Sequence, residues 1–564
     1  MKTTSRFGGK RQVLYALLIA TLPLWERLYN YTDFYPIGIG ILTAAWIGVY
    51  RFWRNPVIGL ALTDKAAFFC LAFFAARTFH PENPVFSEWF MVLYAAMVYM
   101  LARLADKEAR NALCYGLWLG GVLQSVFVWL QVSGVCTSQH RWFDATGSFL
   151  NPAPLGAWLA LAMLVAFRTL LYSRLTLRRK LVGWTSLLLM GGALMIADSR
   201  SAFLSLGIGA VMIWMDRLRV KYSWRWAAMI VAILIVMLPL YKYRQSSADA
   251  RIFIWKVCAE MVKDAPLLGH GPQGVKRNYM HYQTSYLETQ GTAEERIQAT
   301  DNVFAFNEGL RTCCEYGLVG LLLVGLVLFF AWRESKPENP FRHLLVGWLV
   351  FSCFSYPMSV FSLTTLFILI VGCLPDVATN KLHADKRKGA WIMGSFMFVG
   401  MVYLCIYRDA SRSLDYLIWE KDAKEKWQRY YPMLRNEKDF VSRYANTLFL
   451  NGEYETAVEP LYRLTRLAPT VEVFCNLGYC LQQKDNAEGA EACFRYASSM
   501  APGRIIPHYR LFCLYRSLKD KDRMKEEGQR ILEMDVKIEN ERVQRIRNEV
   551  RKELRSLGVY ERNR

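Results

Sequence analysis

Long apolar runs separated by short polar stretches occupy the chain up to Arg408, and amphipathic helical periodicity takes over from there. A bilayer-spanning helix requires ~20 largely apolar residues. The runs 12–29, 36–51, 63–80, 88–105, 111–133, 151–173, 180–197, 201–216, 224–242, 311–333, 341–356, 358–375 and 391–407 suit that length, so about 12–13 spans are expected. The pattern predicts an all-α protein: a polytopic membrane helix bundle over 1–408, a helical connector over 409–440, and a soluble α-helical repeat domain with a basic tail over 441–564.

Charge refines this picture. The chain is 53% hydrophobic yet carries a formal net charge of +21, a balance that by itself points to nucleic acid. The basic residues gather in alternate loops, among them Arg51/Arg54, Arg103/Lys107/Arg110, Arg174/Arg178/Arg179/Lys180 and Lys381/Lys386/Arg387/Lys388. That alternation is the positive-inside pattern. It predicts an inner-membrane protein with a cytoplasmic N-terminus, and it argues against a nucleic-acid partner. With thirteen spans, the long loop 243–310 and everything after 408 face outward. The N-terminal stretch is basic and then apolar, and it lacks a small-residue cleavage site, so it reads as a retained first span. None of the thirteen cysteines forms a CxxC pair with zinc spacing, and no metal site is expected.

An internal repeat marks the C-terminal part. "YANTLFLNGEYETAVEPLYRLTRLAP" and "LGYCLQQKDNAEGAEACFRYASSMAP" align at a period of 33, pairing Ala457 with Ala490, Leu461 with Phe494 and Pro469 with Pro502. This resembles the tetratricopeptide repeat, and a third, degenerate unit runs from His508 to about Asp535 with Met524 at the small-residue position. Such repeats bind peptides or proteins, so a protein partner is expected there unless the repeats only pack on the membrane half. As a self-contained stack they would leave that half able to fold without them.

Candidate chemistry sits at the outward side. "SADARIFIWKVCAEMVKDAPLLGHGPQGV" predicts a helix from about Arg251 to Val262, with Ile254, Val257, Cys258 and Met261 as an apolar stripe lying against the membrane domain. Arg251 falls in its first turn, where a cation opposes the helix dipole, so it needs an anion, either Asp249 or a substrate phosphate. Arg200 in "IADSRSAF" needs a partner at its depth, either Asp198 or a diphosphate held bidentately. Asn151 in "DATGSFLNPAPLG" is a helix cap or a sugar contact. In "ATDNVFAFNEGLRTCCEYGLVGLLLVG", Glu308, Arg311, Thr312 and Glu315 share one helical face as the chain runs into a span. They form either the wall of a cleft or a solvated interfacial cap.

"GSFLNP", "DSRSAF", "DARIFIW", "PLLGHGPQG" and "FNEGLRTCCEYGLVGLL", in that order, resemble the motifs of the bacterial O-antigen ligase superfamily, which includes protein O-oligosaccharyltransferases. The resemblance spans roughly residues 140–330 by motif. It implies transfer of a glycan from undecaprenyl diphosphate to a lipid A-core sugar or a protein Ser/Thr on the periplasmic face, without cofactor, metal or nucleotide. It places two donor-engaging arginines on Arg200 and Arg251, with Arg311 and Asn151 as further substrate-binding candidates. The family has His-Asn ahead of the closing E-x-G; here Asn307 matches the asparagine, and Phe306 stands at the histidine. Glu308, Asp301 and His270 are the replacements for the missing base, with His281 as a further rival. A diphosphate is a good leaving group, so arginine electrostatics carry most of the burden. A polymerase of the same fold, a non-catalytic scaffold acting through its repeats, and a transporter are the other readings.

Overall fold

The computed structural model of the chain describes residues 4–29, 35–54, 57–78, 86–220 apart from 139 and 141, 245–376, 380–416 apart from 384, and 429–556 apart from 433. Helices cover each expected apolar run within these residues; the run 224–242 lies outside them. They are α1 (Thr4–Tyr29), α2 (Tyr35–Arg54), α3 (Leu62–Thr78), α4 (Phe86–Arg103), α5 (Lys107–Val132), α6 (Pro152–Tyr172), α7 (Leu177–Ala197) and α8 (Arg200–Arg217). After three short helices of the long loop come α12 (Glu308–Arg333), α13 (Phe341–Ser352), α14 (Phe361–Cys373) and α15 (Lys386–Tyr416). Four of them, Lys107–Val132, Pro152–Tyr172, Leu177–Ala197 and Glu308–Arg333, are long and apolar enough to cross a bilayer unaided. The chain is a multi-pass membrane protein. Among the described residues the all-helical expectation has one exception, a short antiparallel ribbon pairing β1 (Val57–Leu60) with β2 (Asn380–His383).

Helix α6 is the axis of the bundle. Every residue from Leu155 to Ala162 is buried, as a helix apolar on all faces must be, and α5, α7, α8 and α13 pack around it. Outer faces are apolar as well. Leu318, Leu322, Leu326 and Phe329 form an exposed stripe along α12, a surface suited to acyl chains and costly in water. Charges inside the bundle are matched: Arg103 Nε lies 2.8 Å from Asp64, and Glu334 accepts from the Leu62 and Thr63 amides at 2.7 and 3.1 Å.

The loop between α8 and α12 contains α9 (Gln245–Asp264), α10 (Gly274–Thr289) and α11 (Ala293–Gln298), the last opened by a Thr292–Glu295 capping box. Helix α9 starts six residues earlier than its sequence pattern predicts, so Arg251 stands in the second turn and the helix dipole acts on it less. The expected stripe is correct for Val257, Cys258 and Met261, which are fully buried. Its partner is different: these residues share a core with Val275, Tyr279 and Met280 of α10 and with Val471, Cys475, Ala497 and Met500 far along the chain. The membrane bundle contributes Cys314, at the start of α12.

The C-terminal part is a series of helices, each packed on the next: α16 (Lys438–Leu450), α17 (Tyr454–Leu467), α18 (Val471–Gln483), α19 (Ala487–Met500), α20 (Ile505–Ser517), α21 (Lys521–Glu533) and α22 (Glu541–Ser556). The residues aligned by the period of 33 occupy equivalent places. Ala457, Ala490, Leu461 and Phe494 are all fully buried, and Pro469 and Pro502 follow the ends of α17 and α19. The boundary expected at 408 falls inside α15, and residues 417–428 of the expected connector lie outside the described residues. The C-terminal helices do not stand apart from the loop: α17 and α19 pack against α10, and the two parts share an apolar core.

Candidate functional site

The site is organised by a close approach of two backbones. Residues 266–271 run beside 314–319, and the His270 and Gly271 amides donate to Cys314 and Glu315 carbonyls, each at 2.8 Å. The Leu318 amide donates back to Pro266 O at 2.8 Å. Gly317 takes φ +66° and ψ −170°, which interrupts α12. A Cβ there would stand 2.1 Å from Leu267 O, and one on Gly269 (φ +64°) would stand 2.5 Å from the Glu315 carbonyl carbon. Only glycine fits such contacts at positive φ. The motif 299–325 is therefore not one unbroken helix. A polar stretch of about two and a half turns, Glu308–Tyr316, is set off from the apolar remainder by this kink.

The charges of that short helix are mutually satisfied. Arg311 Nε donates to Glu308 Oε2 at 2.7 Å, and its Nη1 donates to Glu315 Oε2 at 3.2 Å. Both carboxylates are buried. Glu308 Oε1 also accepts from the Met358 amide at 2.8 Å, which links the helix to the turn Pro357–Ser359 between α13 and α14. With one donor on each oxygen, Glu308 keeps acceptor capacity. Arg311 is thus a structural bridge between two carboxylates.

Arg251 is different. No ion pair among the described residues includes it. Its guanidinium lies 5.7 Å over the Phe306 ring. Burial and the neighbouring charge of Arg200 pull its pKa below the usual arginine value, with Tyr356 acting the other way. Two guanidinium groups that feel each other's charge, one of them half-buried without a carboxylate, are costly unless an anion joins them. The floor beneath Arg251 is aromatic. Phe304 stacks on Tyr356 at 4.1 Å, and Phe306 meets the same ring edge-on at 5.4 Å. Phe306 itself holds φ +51°, a strained position for a bulky residue. Trp255 Nε1 donates to Ala305 O at 3.0 Å and fixes this step against α9.

The other expected residues are placed as follows. Asn307 caps α12 by accepting from the Leu310 amide at 2.9 Å. Asn151 caps α6 in the same way, accepting from Ala153 at 3.1 Å, so of its two readings the cap is the one observed. Asp301 faces away toward the C-terminal helices, accepting from the Val471 amide at 2.8 Å and pairing with Arg504 at 2.6 Å. His270 hydrogen-bonds through Nε2 to Met261 O at 2.9 Å and stands edge-on to Tyr282. His281 hydrogen-bonds to Tyr496 of α19. The structure thus puts Arg200 within electrostatic reach of Arg251, ties Glu308 to Arg311 and to the turn after Tyr356, and gives Asp301, His270 and His281 partners elsewhere.

Two groups escaped the sequence reading. Tyr356, fifty residues after Phe306, completes the aromatic floor. Arg277 holds the Gly/Pro turn by donating to Pro272 O at 2.6 Å, and Arg77 of α3 donates to Gly269 O at 3.0 Å. Gln273 adds a bond to Glu88 of α4 at 2.7 Å. Only the spatial neighbourhood reveals these contacts; of these residues Gln273 alone lies within a quoted motif.

Residues 185–325 match the O-antigen ligase family. The matched segment contains Arg200, Arg251, Glu308, Arg311 and both close-approach glycines, and the similarity suggests a membrane glycosyltransferase-type function. No curated protein matches the chain.

Proposed function

We propose that the protein transfers a glycan from undecaprenyl diphosphate to an acceptor hydroxyl, of a lipid A-core sugar or a protein Ser/Thr, at the periplasmic face of the inner membrane. The observation that carries this reading is Arg251: a half-buried cation with no carboxylate partner among the described residues, beside Arg200 and over an aromatic floor. A diphosphate supplies the missing negative charge, and two guanidinium forks match its geometry. The aromatic floor of Phe306 and Tyr356 suits the apolar faces of a sugar ring next to that diphosphate.

In this reaction the acceptor oxygen bonds to the anomeric carbon as the bond from that carbon to the diphosphate oxygen breaks. The configuration inverts, and the electron pair leaves with the diphosphate. Arg200 and Arg251 stabilise the charge that develops there. Glu308, bonded to the 357–359 turn that follows Tyr356, takes the acceptor's proton. The tetratricopeptide-like helices extend the same side of the bundle and present a surface to a protein acceptor or partner. The alternation of basic loops supports a cytoplasmic N-terminus and an outward site.

The test uses purified protein, a polyprenyl-diphosphate glycan and a candidate acceptor. Arg200→Lys and Arg251→Lys keep the charge but lose the fork, and each is expected to cut transfer by about 100-fold at unchanged protein level in the membrane. Unimpaired transfer by both variants removes the reading.

A further inference from the structure

The C-terminal helices meet the long loop through an apolar core and through a small set of polar contacts. Gln283 Nε2 of α10 donates to Met500 O at 2.8 Å, and Lys537 Nζ donates to Gln298 O at 3.0 Å. Gly503 lies so close to Ile297 that a Cβ would stand 2.8 Å from its carbonyl oxygen. Among these contacts the Asp301–Arg504 pair is unusual in its chain position. Asp301 precedes by only three to five residues the aromatic step Phe304–Phe306 on which Arg251 rests.

Magnitude separates two roles for this pair. The Arg504 and Asp301 side chains are 38% and 21% exposed, and a pair that open to water contributes little to stability, ~0.2–1 kcal/mol. The apolar core holds the two parts together. What the pair adds is direction, because Asp301 accepts from two donors fixed on the C-terminal helices: the Arg504 guanidinium and the Val471 amide in the first turn of α18. From this anchored point the chain turns through Asn302, whose side chain both accepts from the Phe304 amide at 3.2 Å and donates to its carbonyl at 2.8 Å. It then passes Ala305, held by Trp255, and reaches Phe306 at positive φ under Arg251. The segment 301–306 is fastened at one end to the C-terminal helices and at the other to α9.

We infer that Asp301 and Arg504 are positioning residues for the cationic site: the C-terminal helices set the aromatic step that holds Arg251 and are part of the site's construction. This inference rests on the reading of Arg251 as a donor-binding residue. It assigns Asp301 a role through Phe306 and none in proton transfer.

The experiment compares full-length wild type with Asp301→Asn, Arg504→Gln and Arg504→Lys. Hydrogen exchange is followed over residues 299–307, and KM for a polyprenyl-diphosphate glycan is measured separately from kcat. Asp301→Asn and Arg504→Gln are expected to speed exchange at 302–306 and to raise the donor KM about tenfold, with kcat within about twofold of wild type. Arg504→Lys, which keeps the charge, recovers most of the KM. A merely structural contact would lower the amount of folded protein and leave the KM of the folded fraction alone. Wild-type KM in both variants overturns the inference, as does unchanged exchange at 302–306. Normal transfer by Arg251→Lys defeats the donor-binding reading separately, and the exchange data still decide whether Asp301 fixes the turn.

Discussion

Gly317 lies directly against the backbone of Leu267, so close that a β-carbon would sit 2.1 Å from the Leu267 carbonyl oxygen. Gly317→Ala therefore adds a collision with backbone, which cannot rotate away, to a φ of +66°. We expect a loss of about 3 kcal/mol or more from strain and overpacking together, read as a lowered Tm or failure to accumulate in the membrane. Gly325→Ala is the control, since open space surrounds that position on the same helix and alanine there should gain up to ~1 kcal/mol. Equal Tm values for the two variants would show that the 266–271 and 314–319 backbones are not in contact.

The two carboxylates of the motif are expected to fail differently. Glu308→Gln keeps a hydrogen-bonding side chain at the Met358 amide but cannot take a proton, so kcat should fall about 100-fold. Asp301→Asn should leave kcat near wild type. A loss of kcat in Asp301→Asn with none in Glu308→Gln would reverse the assignment.

Deleting everything after Tyr416 uncovers Val257, Cys258, Met261, Tyr279 and Met280, which share their core with α18 and α19. Each large apolar side chain so exposed loses ~1.5–3 kcal/mol of burial. The expected result is a bundle that survives and a 245–307 segment that is cut rapidly by protease. Met500→Asp in the full chain tests the same core without truncation, and protease resistance in both proteins would contradict the shared core.

His281 gives the docked interface a pH dependence. Burial holds its pKa below the ordinary 6.5, so at low pH the undocked or unfolded state binds the extra proton. Its contribution to stability is complete above about pH 6.5 and declines as pH falls through the depressed value. Tyr496 hydrogen-bonds to the ring, and Glu288 acts on Tyr496 from the same helix as His281. Hydrogen exchange of α10 should therefore accelerate between about pH 7 and pH 5, and His281→Gln should flatten that dependence. An unaltered profile in the variant would assign the effect to another group.

Much of the fold was legible because a membrane imposes a simple code: apolar runs gave helices at each expected place within the described residues, and the period of 33 picked out positions buried among the C-terminal helices. The interruption at Gly317 was not legible, since glycine within an apolar run reads as a tolerated helix residue until its neighbour is seen. Asp301 misled for a related reason. A carboxylate near a catalytic motif looks like a base, and only the position of Arg504, two hundred residues on, shows what it faces. Arg251 was legible as a cation in need of an anion, but only the fold shows Arg200 acting on it and the Phe306 ring beneath it.

The shared core also constrains the order in which the protein is made. The apolar face of α9 and α10 leaves the ribosome about 200 residues before the helices that cover it, which at 5–20 residues per second is a wait of roughly 10–40 s. During that interval the apolar face of α9 and α10 has no cover. A chain interrupted before Met500 is expected to keep that face exposed, and on the proposed function its donor site would stay unfinished. Completion of the last third would then be the condition for drawing on a lipid-linked donor pool.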